Sequence, residues 1–242
     1  MAGRRADLEL LQRGLFVSRA RAQEAIAAGL VRADGALVKK PSQLIDDKAK
    51  IESSATHPWA SRGGLKLQAA LDAFALDPAG LYALDVGAST GGFTDVLLSR
   101  GARHVVALDV GRDQLDARLR VDPRVTSLES FDARKLTSAE LAEPPGAIVC
   151  DVSFISQRLV LPNILNLAAA DAFYVGLVKP QFEAGRENLV KGVVKDERAR
   201  KKSCEDVRAV VEALGWRTLG LIDSPIPGGD GAREFLYAAR HG

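Results

Sequence analysis

The run Asp85-Val86-Gly87-Ala88-Ser89-Thr90-Gly91-Gly92-Phe93 places a carboxylate and three glycines where an apolar run ends and an amphipathic helix begins. Glycines let a backbone turn tightly and come close to a ligand. Their spacing is G-x-x-x-G-G, not the G-x-G-x-x-G of dinucleotide enzymes, and no Gly-Lys-Ser/Thr follows. A phosphate cradle is therefore a poor fit. An acid at the strand end suits a cationic ligand without phosphates, and S-adenosylmethionine is one. The next apolar run ends in Asp109, 24 positions after Asp85. That is close to the spacing at which an acid in such folds accepts hydrogen bonds from ribose hydroxyls. A third run ends near Asp132, placed to meet an adenine amino group. The candidate cofactor residues are Asp85, Gly87, Ser89, Gly91, Gly92, Phe93, Asp109, Asp132 and Asp151. The plainer reading is that Asp109 and Asp132 only cap helices.

Two further apolar runs deliver Asp151 and Lys179. A lysine at the end of a buried strand beside an acid is unusual. It is either a structural ion pair or a base. A ribose hydroxyl is a poor nucleophile and gains from losing its proton as it attacks a methyl group. Lysine can take that proton when burial and cationic neighbours lower its pKa, a shift nearby carboxylates oppose. No Asn-Pro-Pro-Tyr-like run follows Asp151, and Cys150 and Cys204 lack a Pro-Cys or Thr-Cys context. Methylation of exocyclic amines or of pyrimidine carbons fits poorly.

These residues need strand ends to hold them. Past residue 65, apolar runs at 81–86, 104–109, 125–128, 146–151, 172–178, 217–223 and 234–239 alternate with helical patterns at 65–75, 92–100, 137–142, 156–170 and 197–214. Such alternation predicts an α/β fold with a doubly wound, mostly parallel sheet, whose ligands sit at the carboxyl ends of the strands. The loop Pro225–Gly231 precedes the last run. Before residue 53 the pattern differs. Two short helices, 7–14 and 18–28, precede an Asp34-Gly35 hairpin and a strand over 43–52, a small α+β unit. The expected organisation is a domain at 1–58, a turn-rich linker at 59–64, and an α/β domain at 65–242.

Residues 1–60 carry a net charge of +3 and the remainder −1. The basic excess fits a polyanion or a solvated face. Two cysteines form neither a disulfide framework nor a metal cluster, so no metal is expected. No apolar signal core opens the chain. The apolar stretch Leu159–Val178 contains Pro162, Asn163, Asn166 and Asp171 and reads as a buried helix and strand. A cytoplasmic protein with no membrane partner is expected. Its oligomeric state is not legible.

The runs Asp85–Thr94, Asp151-Val-Ser-Phe-Ile-Ser, Lys179-Pro-Gln-Phe-Glu-Ala-Gly-Arg, Gly231-Ala-Arg-Glu-Phe and Ser61-Arg-Gly-Gly-Leu-Lys-Leu resemble the TlyA (hemolysin A) family. Its core is similar to the FtsJ-type ribose methyltransferases. The resemblance implies a Rossmann-like S-adenosylmethionine methyltransferase and a Lys-Asp-Lys-Glu tetrad, falling here on Lys66, Asp151, Lys179 and Glu234. Lys179 would be the base. The N-terminal unit resembles the RNA-binding module of small-subunit ribosomal protein four, through Ser18–Ala22, Gly29–Val31 and the Asp-Gly hairpin. Together they imply 2′-O-methylation of cytidine in ribosomal RNA, free or in subunits. The short ends of this chain favour the large-subunit RNA, with the small subunit also open. Arg4, Arg5, Arg13, Arg19, Arg21, Arg32, Lys39, Lys40 and Arg62 are then candidates for RNA contact. Two rival classes are a membrane-active hemolysin and a non-catalytic ribosome-binding factor. The first needs a membrane-inserting segment that is not evident. The intact tetrad argues against the second.

Overall fold

Alternation of apolar runs with amphipathic helices produces the expected layering. The fold is described from a computed structural model that defines residues 3–228 and 231–242. Gly229 and Asp230, within the Pro225–Gly231 loop, lie outside the described residues. The chain divides into two units, residues 1–58 and 59–242.

In the first unit, β1 (Arg4–Arg5) leads into α1 (Ala6–Gln12), followed by α2 (Arg19–Ala27). The Ser18 side chain caps α2 by accepting from the Arg21 N–H. Strands β2 (Val31–Ala33) and β3 (Ala36–Leu37) form the hairpin across Asp34-Gly35, both of positive φ. The stretch 43–52, expected as one strand, is two: β4 (Leu44–Ile45) pairs with β1, and β5 (Ile51–Ser53) pairs with β2. The turn around Asp46–Ala49 breaks it. Leu10, Ala22, Ala25, Ile26, Val31 and Ile45 form a small separate core.

The second unit begins with α3 (Gly63–Ala73). Its sheet strands are β6 (Tyr82–Val86), β7 (His104–Leu108), β8 (Val125–Leu128), β9 (Ala147–Cys150) and β10 (Phe173–Val178). Helices α4 (Gly92–Ser99), α5 (Ala117–Arg120), α6 (Leu161–Leu165) and α7 (Pro180–Glu183) lie between or after them. A hairpin of β11 (Leu189–Val190) and β12 (Val193–Val194), helix α8 (Glu197–Ala213), β13 (Trp216–Asp223) and β14 (Phe235–His241) complete it. The seven-stranded sheet has the order β13-β14-β10-β9-β6-β7-β8. It is parallel except that β14 runs against β10 and β13. Residues 59–64, expected as a linker, belong to this unit: Trp59 packs on its core and the backbone N–H of Ala60 donates to Asp95.

Both faces of the sheet are covered, so β6, β9 and β10 are buried along their whole length. On one face Ala83, Val105, Val149 and Val175 pack with Leu67 and Leu71 of α3 and Val96 and Leu97 of α4. On the other, Leu84, Val106, Ile148 and Tyr174 pack with Leu161 and Ile164 of α6 and Val207 and Val211 of α8. Each such aliphatic side chain removed from water contributes about 1.5–3 kcal/mol. The helix expected at 156–170 is shorter: a 3-10 turn at Gln157–Leu159, then α6. The one at 137–142 is only a 3-10 turn, Ser138–Glu140. No helix among the described residues is long and apolar enough to cross a membrane.

Candidate active site

The sheet order reverses between β6 and β9, since β7 and β8 extend it one way and β10 the other. Ligands in open α/β sheets bind beyond the carboxyl ends of the strands at such a reversal. A cleft of about 550 Å³ opens there, within the usual range for a small-molecule site. Gly87 and Ser89 follow β6, Asp109 follows β7, Asp132 follows β8 and Asp151 follows β9, and all five line it. Gly87 has φ +85°, and a Cβ there would stand 2.8 Å from the Asp151 carbonyl oxygen. Only glycine lets the ends of β6 and β9 approach so closely. The Asp109 carboxylate accepts from the Ser89 N–H at 2.8 Å and the Gly111 N–H at 2.7 Å. Those bonds fix it and leave lone pairs to spare. Asp132 caps the turn Ala133–Lys135 and pairs with Arg134 at 2.7 Å, which holds its carboxyl down at about 2.

Asp85, Gly91, Gly92 and Phe93, expected to touch the cofactor, are not in the lining of this cleft. Asp85 is fully buried, and Thr94 Oγ1 donates to its Oδ2 at 2.7 Å. Burial pushes its carboxyl up to about 7; the Thr94 bond opposes that, and the charge of Asp151 adds to it. Its second oxygen has no hydrogen-bond partner among the described residues. Gly91 caps α4 with φ +91°, where a Cβ would collide with Leu119 and Leu115. A Cβ on Gly92 would meet Ser61. Phe93 is core. These residues seat α4 against its neighbours, a packing demand that gives the same small-residue pattern as ligand contact.

The four charged residues of the tetrad pattern come together at the sheet end. Lys179, directly after β10, has its Nζ 2.7 Å from Asp151 Oδ1 and donates to Ser153 Oγ at 2.6 Å. Lys66, on α3, donates to Glu234 Oε2 at 2.6 Å. Lys66, Lys179 and Glu234 are all buried. Burial raises the Asp151 carboxyl; Lys179 and Lys66 oppose that and Glu234 reinforces it, so Asp151 feels the other three charges of the set. Pairing is what permits four charges in so enclosed a place. Two neighbours went unassigned in the sequence. Ser153 is the second partner of Lys179. Phe154 lines the cleft with φ +66°; the residue is 91% exposed, and its ring is tilted against Phe182 at 5.4 Å. A phenylalanine in a strand-end loop gives no sequence signal that it will face water.

The basic residues of the first unit divide. Arg13 is occupied internally, pairing with Glu9 at 2.7 Å and donating to the carbonyls of Asp46, Asp47 and Ala49. Arg21 donates to the His57 carbonyl at 2.7 Å. Both are among the expected RNA contacts, and both have partners within the unit. Arg4 lies 3.6 Å from Glu9, Arg5 and Arg19 share Asp7, and Arg32 donates to the Gly35 carbonyl. Lys39 and Lys40, and Arg62 of the second unit, are exposed with no ion pair among the described residues.

Residues 59–241 match the FtsJ-like methyltransferase family. The chain belongs to that family. An S4 domain precedes its FtsJ-like part, matched over residues 4–51. Over 239 residues the chain is 47% identical to the 16S/23S rRNA (cytidine-2′-O)-methyltransferase TlyA of Mycobacterium tuberculosis, covering 98% of this chain and 89% of the relative. It is 38% identical over 181 residues to the 23S rRNA (cytidine-2′-O)-methyltransferase TlyA of Campylobacter jejuni, covering 74% of this chain and 70% of that one. A solved structure from Streptococcus thermophilus, described as a candidate hemolysin, superposes with a TM-score of 0.79 at 40% identity, covering 100% of this chain and 89% of the other. The sheet and helices of residues 59–242 are thus those of an FtsJ-like methyltransferase.

Proposed function

We propose that the protein transfers a methyl group from S-adenosylmethionine to the 2′-hydroxyl of a cytidine in ribosomal RNA. The observation that carries this is the double ion pair at the sheet end, Lys179 with Asp151 and Lys66 with Glu234 at 2.7 and 2.6 Å, beside an acid-lined cleft. The cleft residues fit the donor. Gly87 leaves room for close approach, Asp109 has lone pairs for ribose hydroxyls, and the surplus of carboxylates suits a cation. When bound, the donor supplies an electrophilic methyl group. Lys179 Nζ is the atom assigned to receive the 2′-hydroxyl proton; it does so as the neutral amine, after the ammonium of the ion pair has released its own proton to solvent. Asp151 and Ser153 keep that nitrogen in place. Lys66 and Glu234 position the ribose and balance the local charge. Phe154 offers an exposed ring on which a base can stack. The S4 domain supplies the grip on RNA, with Arg4, Arg5, Arg19, Arg32, Lys39 and Lys40 as candidates, joined by Arg62 of the FtsJ-like part.

Large-subunit RNA is the proposed substrate, because it is common to the names of both TlyA relatives. The deciding experiment maps 2′-O-methylation on both ribosomal RNAs, free and in subunits, with and without purified protein and S-adenosylmethionine. One new methylated cytidine in the large-subunit RNA is expected. No methylation of either RNA would overturn the proposal, and methylation of both would revise its substrate.

A further inference from the structure

Asp7 lies on α1 and is fully buried, yet it is held by four donors. Arg5 Nε and Nη2 reach its two oxygens at 3.0 and 3.0 Å. Arg19 Nε and Gln23 Nε2 reach Oδ2 at 2.7 and 2.7 Å. The two arginines come from different elements, Arg5 before α1 and Arg19 at the start of α2. Their side chains stay 40% and 50% exposed. Arg5 Nη1 and both terminal nitrogens of Arg19 have no partner among the described residues.

One carboxylate therefore fixes two guanidinium groups side by side. Their outer N–H groups face water, and the trio keeps a net charge of +1. A guanidinium loses much rotational freedom when it grips an anion, and here that loss is already met by the fold. A phosphate diester presents two oxygens sharing one negative charge, which matches the charge and the paired N–H edges. We infer that Asp7 builds a site for one backbone phosphate of the RNA by aligning Arg5 and Arg19. Asp7 is a positioning residue here and touches no RNA. The inference rests on the RNA-methylating reading above.

The alternative is that the cluster only bolts α1 to α2. Asp7→Asn separates the two. It removes a negative charge, so unaided electrostatics makes a polyanion bind more tightly. Loss of alignment makes it bind more weakly. The double variant Arg5→Lys, Arg19→Lys keeps both charges but cannot fork. Binding of the full-length protein to a large-subunit ribosomal RNA transcript would be measured from low to high salt, with methylation followed in the same samples and folding by thermal unfolding. Both variants are expected to bind about tenfold more weakly, with the log-affinity against log-salt slope about one unit shallower. Folded Asp7→Asn that binds as well as wild type or better overturns the inference. So does a double lysine variant with wild-type affinity, which decides alone if Asp7→Asn does not fold. Wild-type protein that neither binds nor methylates large-subunit RNA, as the transcript or within the subunit, overturns the functional reading, and this inference with it.

Discussion

Lys179 and Asp151 stand 2.7 Å apart at the ends of β10 and β9, two strands buried along their whole length. The sequence reached both residues, because a lysine and an acid each ending an apolar run must either pair or do chemistry. It could not reach Ser153, whose part depends on where a loop folds back onto Lys179. Lys179→Ala should abolish methyl transfer while S-adenosylmethionine, measured by calorimetry, still binds within about threefold. Wild-type turnover in that variant would remove Lys179 from the mechanism. Asp85 supports a prediction about pH. Its folded carboxyl is pushed up to about 7, and in the unfolded chain it ionises near pH 4. Between those values the folded state holds a proton the unfolded state has released, so this residue's contribution to stability falls as pH rises and is fully lost above about 7. Asp85→Asn keeps the acceptor for Thr94 and removes the charge. Its Tm should match wild type near pH 4 and exceed it progressively up to pH 7. A gap that does not widen would show that Asp85 is not the cause.

The elements explain why several candidate cofactor residues lie outside the lining of the cleft. Gly91 and Gly92 open α4, and their lack of a side chain is used by Leu119, Leu115 and Ser61. Close approach of backbone to ligand and of backbone to a neighbouring helix demand the same residue, so sequence cannot separate them. Gly87 is the exception that touches both, since it lines the cleft and lies against the Asp151 carbonyl. Gly87→Ala forces a side chain into left-handed backbone and against that carbonyl, and is expected to cost about 1–3 kcal/mol of stability. It should also weaken S-adenosylmethionine binding, since β9 and Asp151 must shift. Denaturant unfolding and calorimetry check the two effects separately. The split of 43–52 into β4 and β5 has a similar origin: both pieces are β-prone, but Arg13 pins the carbonyls of the turn between them.

At the scale of the whole chain, the S4 domain carries the basic excess and the FtsJ-like part carries the paired charges of the site. Lys39 and Lys40 lack ion pairs among the described residues. Replacing both by glutamine should lower the salt-dependence slope of RNA affinity by about 1–2, with S-adenosylmethionine affinity unchanged. An unchanged slope would place the RNA elsewhere.

The sequence by itself determined the order of the elements and the strand ends where charge could collect, because alternation of apolar and polar residues sets which segments are buried. It also brought Lys66, Asp151, Lys179 and Glu234 into view as one set, through their likeness to a known pattern. Only the tertiary structure decided which charges are already spent. Arg13, Arg21 and Asp132 have partners inside the fold, Asp85 is sealed behind Thr94, and Lys39 and Lys40 are left for solvent or a ligand. Partnering of charges depends on side chains far apart in sequence meeting within a few ångströms, and no local pattern records it.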